Sequence, residues 1–135
     1  SYRLVGSEMC IRDSSIGVAT PHEIDELNVL NASHLAMKRA LKNLPVFPKQ
    51  ILIDGSHVPE GIQNADSVIK GDSLIQEISA ASVFAKVFRD SLMKIYSEKY
   101  KFYSFQNNKG YPTPEHKNAI SRHGLSEIHR KSFKI

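Results

Sequence analysis

Twice in the middle of the chain a short apolar run stops on an acid, and this pattern constrains the fold more than any other. Residues 50–53 (QILI) are followed by Asp54 and Gly55, and residues 67–69 (SVI) by Lys70, Gly71 and Asp72. Short β-branched runs bounded by such residues read as buried strands, which deliver whatever follows them at their carboxyl ends. Two acids therefore sit just beyond two neighbouring strands.

Helical patterns surround these strands. Residues 15–19 (SIGVA) read as the end of an earlier strand, after which Thr20 has the place of an N-cap, with Pro21 at the first helical position and Glu23 closing a capping box. Apolar residues from Ile24 to Leu41 recur at helical spacing until Pro45 and Pro48 end the run near residue 43. A kink is expected between Asn28 and Asn31, because asparagine competes for helix backbone groups. From Ser73 the spacing of Ile75, Ile78, Ser82, Ala85, Phe88, Leu92 and Ile95 predicts the longest helix, to about Tyr100, with Ser73 and Gln76 as its capping box. Residues 101–112 read as a loop, and Thr113 with Pro114 opens a last helix ending near His123 and Gly124. Strands alternating with helices argue an α/β domain around a central sheet, and with about three strands visible that sheet is expected to be incomplete.

At 135 residues and 41% apolar content the chain suits one domain. It contains no apolar run of membrane-spanning length and no tripartite secretory signal, so a cytoplasmic protein is expected, without a membrane and monomeric. The single cysteine, Cys10, excludes an internal disulfide. Lys and Arg outnumber Asp and Glu by 18 to 14, and the basic residues gather towards the end, from Lys99 and Lys101 to Arg130, Lys131 and Lys134. This mild excess favours an anionic partner such as nucleic acid.

Several residues carry chemistry that can be read in more than one way. Asp54 either joins a carboxylate cluster at a strand end or forms a turn before Gly55. Asp72 is compatible both with metal binding and with the acid-favouring start of a helix. Lys70 contacts a phosphate or is a solvated strand-end charge. Ser79, Ser82 and Lys86 line a phosphate path along the long helix, or Ser82 merely packs. Tyr111 follows Lys109 and Gly110 in a loop, where an aromatic beside a cation stacks on a sugar or base while the ammonium meets phosphate. His116, His123 and His129 are spaced so that no pair shares a helical face, which argues against zinc. Asp25, Glu26, Glu77 and Asp90 read as solvated helix charges, with Asp90 in pairing range of Lys86.

Five ordered blocks, PHEIDELNVLNASHLAMKRAL, ILIDGSHVP, VIKGDSLIQEISAASVFAKVFRD, NKGYPTPEH and HGLSEIHRKSF, give residues 15–135 a close resemblance to ribonuclease HII, the type 2 ribonuclease H family. The resemblance implies a ribonuclease H-like fold and endonucleolytic cleavage of RNA in RNA–DNA hybrids and at ribonucleotides embedded in DNA. In that family four carboxylates hold two divalent ions, Mg²⁺ or Mn²⁺, and the third and fourth fall on Asp54 and Asp72. The matching tyrosine, Tyr111, is implied to pack against the deoxyribose after the RNA-to-DNA junction. The first pair, an adjacent Asp-Glu followed by Gly-Arg-Gly, has no match in residues 1–14 (SYRLVGSEMCIRDS), which instead resemble a translated sequencing adapter. Residues 1–14 are therefore expected to be foreign to the family domain, and the chain alone to be nearly inactive and of low stability. Two other classes compete. A non-catalytic nucleic-acid-binding module would use Tyr111 and the basic end, whereas a small-molecule phosphate-binding protein would need a glycine-rich loop that the sequence lacks.

Overall fold

The computed structural model describes residues 14–133, and its first element is the long helix α1, Pro21–Lys42. The expected capping box forms: Thr20 Oγ1 accepts from Glu23 N at 3.3 Å, and Glu23 Oε2 accepts from Thr20 N at 2.9 Å. The expected kink falls at Asn28, whose backbone is left-handed at φ 69°, while its Oδ1 caps the resumed helix by accepting from Asn31 N at 3.0 Å.

Residues 14–20 contain no strand, contrary to the expectation for 15–19. A strand needs a partner strand for its backbone groups, and this segment makes no such pairing among the described residues. The segment is bound instead to the second half of α1. Ser15 Oγ donates to the Ala40 carbonyl at 2.5 Å, and Arg39 Nη1 donates to the Val18 carbonyl at 2.8 Å. Between them Gly17 lies so close that a Cβ would come within 1.8 Å of the Ala36 carbonyl oxygen.

Strands β1 (Ile51–Asp54) and β2 (Ala65–Val68) form a two-stranded parallel sheet with Ile51 opposite Ala65 and Asp54 opposite Val68. The second strand starts and stops earlier than the expected 67–69. The architecture is the mixed α/β class with an incomplete sheet, consistent with a ribonuclease H-like fold.

A single helix from Ser73 does not form. A four-residue helix α2 (Gly71–Leu74) stops at Ile75, whose extended backbone (φ −123°, ψ 122°) separates it from α3 (Gln76–Lys99), and the Ser73–Gln76 capping box is absent. The break lets Gly71 stay at the sheet end while Ile78 of α3 packs onto it. Of the expected apolar side of α3 only Ile78 is fully buried, and Val83, Phe84, Val87 and Phe88 are 42–58% exposed.

The expected loop 101–112 contains a 3₁₀ turn (Lys101–Tyr103) and a short helix α4 (Phe105–Asn108). Helix α5 (Pro114–His123) starts as expected on Thr113, whose Oγ1 accepts from His116 N at 3.2 Å, and ends on Gly124. The core has two parts. Ile51, Ile53 and Ile78 cover the sheet, and Tyr103 with Phe105, stacked at 5.5 Å, forms an aromatic nucleus near α5. The carboxy-terminal segment returns to α1, where Asp25 accepts from Lys131 N, Ser132 N and Ser132 Oγ at 2.5–2.8 Å. Asp25 is thus a clasp rather than the solvated charge expected, and the Ser132 and Lys131 hydrogen bonds hold its carboxyl below the usual range.

Candidate active site

Asp54 ends β1 with its side chain exposed, and its Oδ1 accepts a hydrogen bond from Gly71 N at 2.8 Å. The ladder continues one residue past the strand through Gly55 N to the Val68 carbonyl at 3.0 Å. Lys70, left-handed at φ 55°, then swings the chain back so that the Gly71 amide faces Asp54. Gly71 itself is buried, because a Cβ there would meet Ile78 Cδ1 at 2.6 Å and Val68 Cβ at 3.3 Å. Asp72 follows in the first turn of α2, exposed, with Ser73 Oγ 3.4 Å from its Oδ1. The two sequence-predicted acids thus stand at one corner of the fold, Asp54 hydrogen-bonded to the residue that precedes Asp72, with Lys70 exposed between the strand and the helix.

Hard oxygen donors suit Mg²⁺ or Mn²⁺. Asp54 and Asp72 have the right chemistry for such an ion, but among the described residues no group of three or more potential ligands converges. Two carboxylates alone are an incomplete ligand set.

Helix α3 leads away from this turn. It carries Ser79, half-buried, and Ser82 and Lys86, both exposed. Ser82 Oγ donates to the Ser79 carbonyl at 2.8 Å, so this hydroxyl is partly committed to its own helix. Lys86 makes no ion pair with Asp90; the salt bridges among the described residues are His22–Glu26 and Glu23–Arg39.

Further along the same helix Arg89, which the sequence reading did not single out, organises the loop that bears Lys109 and Tyr111. Its Nη2 donates to the Lys109 carbonyl at 3.1 Å, and its guanidinium lies 5.5 Å from the centre of the Tyr111 ring. Buried Asn108 fastens the loop from below, donating to the Tyr103 carbonyl at 2.6 Å and accepting from Gly110 N at 2.8 Å. Lys109 Nζ turns back to the Gln106 carbonyl at 2.5 Å, while Tyr111 is 61% exposed. An exposed aromatic flanked by cations is a surface on which a base or sugar can stack.

His116 and His129 meet, although spacing along a helix kept them apart: their Nε2 atoms are 2.9 Å from each other. The turn after Gly124 brings His129 back over α5, a contact that no periodicity announces. His123 does not join them and stacks on Phe102 at 4.4 Å.

Comparison with known proteins bears on this geometry. A family model described as ribonuclease HII matches residues 8–135, a match that begins inside the 1–14 segment. The chain is 46% identical over 120 residues to the ribonuclease HII of Shewanella piezotolerans, covering 89% of this chain and 59% of that protein. It is 47% identical over 120 residues to the ribonuclease HII of Acinetobacter baylyi, covering 88% of this chain and 64% of that protein. The chain thus spans about three-fifths of the length of the curated relatives it matches. Among the described residues no helix is long and apolar enough to cross a membrane.

Proposed function

Since the chain belongs to the ribonuclease HII family, we propose that it contributes the turn bearing Asp54 and Asp72 to an endonuclease acting on RNA–DNA hybrids and on ribonucleotides embedded in DNA. The observation that carries this reading is the Asp54–Gly71 hydrogen bond, which brings a strand-end acid and a helix-start acid to one place. Two divalent ions, Mg²⁺ or Mn²⁺, would supply an activated water and stabilise the leaving oxygen. The chain's own contribution would be Asp54 at the end of β1 and Asp72 at the start of α2 as two of the ligands, joined through the Gly71 amide, together with contacts that hold the nucleic acid. Lys70, Ser79, Ser82 and Lys86 offer contacts for phosphates, and Lys109 and Tyr111 grip the duplex beyond them.

On this reading residues 15–135 are the carboxy-terminal part of the family domain, although the family match already begins at residue 8. With no third ligand beside Asp54 and Asp72 among the described residues, an ion there is short of ligands and of negative charge, and on this reading the 135-residue chain binds hybrid but turns it over hardly at all. A binding module without catalysis is the second reading, favoured by the exposed Tyr111 and by the incomplete ligand set.

The test is an assay of the purified chain on a labelled RNA–DNA hybrid with Mg²⁺ or Mn²⁺. Salt-dependent binding with negligible cleavage is expected. Robust metal-dependent cleavage would overturn the claim of near-inactivity, and absence of binding at low salt would overturn the nucleic-acid reading altogether.

A further inference from the structure

We propose that His116 and His129 are positioning residues for Tyr111, acting through a one-directional chain of hydrogen bonds that runs from Ser126 to the Tyr111 carbonyl; this rests on the reading of Tyr111 as a nucleic-acid contact.

The two ends of the chain determine both tautomers. Ser126 N can only donate, so the His129 Nδ1 that it meets at 2.9 Å carries a lone pair, which Ser126 Oγ also approaches at 2.7 Å. The Tyr111 carbonyl can only accept, so the His116 Nδ1 at 2.8 Å carries a proton. Neutral rings then have one arrangement left. His129 keeps its proton on Nε2, and His116 keeps a lone pair on Nε2. Those atoms face each other at 2.9 Å as one donor and one acceptor. Assignments made independently from opposite ends therefore agree in the middle.

The surroundings bury His116 and half-bury His129 and Ser126. His116 is 3% exposed and stands edge-on to Tyr103 and Phe105, with ring centres 6.4 and 5.6 Å away, and His129 lies 4.9 Å from Tyr103. Burial, followed by the repulsion that two protonated rings side by side would suffer, holds His129 below the ordinary histidine value. The consequence falls on Tyr111. Its carbonyl is gripped by His116 and by Thr113 N at 2.8 Å, and its amide donates to the Asn108 carbonyl at 2.8 Å. A clamped peptide beneath an exposed ring means that little freedom remains to be lost when a sugar or base stacks on it.

The experiment uses the full 135-residue chain, labelled with ¹⁵N, slightly above neutral pH. Long-range proton–nitrogen correlation is expected to show opposite tautomers, Nδ1–H for His116 and Nε2–H for His129. The same tautomer on both rings, or averaged signals, overturns the relay. In parallel, His116→Phe keeps a ring between Tyr103 and Phe105 but removes both nitrogens. Its affinity for an RNA–DNA hybrid is expected to fall roughly three- to tenfold, the worth of one hydrogen bond. In a Tyr111→Ala background the same change is expected to have no further effect. Equal losses with and without Tyr111 overturn the positioning role. If Tyr111→Ala alone leaves affinity unchanged, the nucleic-acid reading of Tyr111 fails instead, and the tautomers still decide the relay. Should His116→Phe unfold the chain, His129→Phe cuts the relay one link earlier and is read in the same way.

Discussion

Asp54 and Gly71 are joined by a 2.8 Å hydrogen bond from the Gly71 amide to the Asp54 carboxylate, so the end of β1 and the start of α2 form one rigid corner. Gly71 has no room for a side chain there, but the nearest obstacle to a Cβ, Ile78 Cδ1 at 2.6 Å, is the tip of a flexible group. Gly71→Ala is therefore expected to cost about 1–2 kcal/mol as Ile78 shifts, measured as a lower urea midpoint.

Gly17→Ala should be worse. A Cβ at this position would meet backbone, the Ala36 carbonyl oxygen at 1.8 Å and Ala40 N at 2.5 Å, and helix backbone cannot give way. The expected outcome is detachment of residues 14–20 from α1. Hydrogen exchange by mass spectrometry checks it, with protection lost in that segment and retained in β1 and β2.

At Asn28 a left-handed backbone and a cap coincide. Asn28→Asp keeps the cap and is expected to stay within about 0.5 kcal/mol of the parent, whereas Asn28→Val loses the cap and is strained at φ 69°, costing about 2 kcal/mol or more. Paired urea titrations decide this; equal midpoints would contradict it.

Acid should loosen the link between residues 14–20 and α1. The Arg39 guanidinium, followed by the Thr20 amide, holds the Glu23 carboxyl at about 2, against an ordinary 4.5. A folded-state value below the unfolded one gives stability that is present above the ordinary value and is lost as pH falls towards the lowered one. The loss should therefore accumulate between pH 4.5 and about 2, and Glu23→Gln should flatten stability against pH across that window. Because Glu23 and Arg39 are solvent-accessible, added salt should shrink the effect.

Much of this was legible locally. Thr20, Pro21 and Glu23 announced α1, Thr113 and Pro114 announced α5, and Asn28 announced the kink, because caps and breakers act within one turn of chain. The strand ends at Asp54 and near Asp72 were also legible from short β-branched runs. The unread features all depend on partners distant in sequence. Residues 15–19 had strand composition, but their hydrogen bonds go to Arg39 and Ala40 of α1. Asp25 found Ser132, His116 found His129, and Arg89 found Lys109, contacts that spacing along a helix does not encode. The Ser73 cap failed because the turn at Lys70 had already started a short helix against Asp54.

The central claim is that Asp54 and Asp72 act together on a divalent ion, and titration of the ¹⁵N-labelled chain with Mn²⁺ tests it most directly. Paramagnetic broadening should appear first at the amides of Gly55, Gly71, Asp72 and Ser73, and should vanish in Asp54→Asn/Asp72→Asn, whose amide oxygen at residue 54 still accepts from Gly71 N. Uniform broadening, or selective broadening elsewhere that persists in the double variant, would contradict the account.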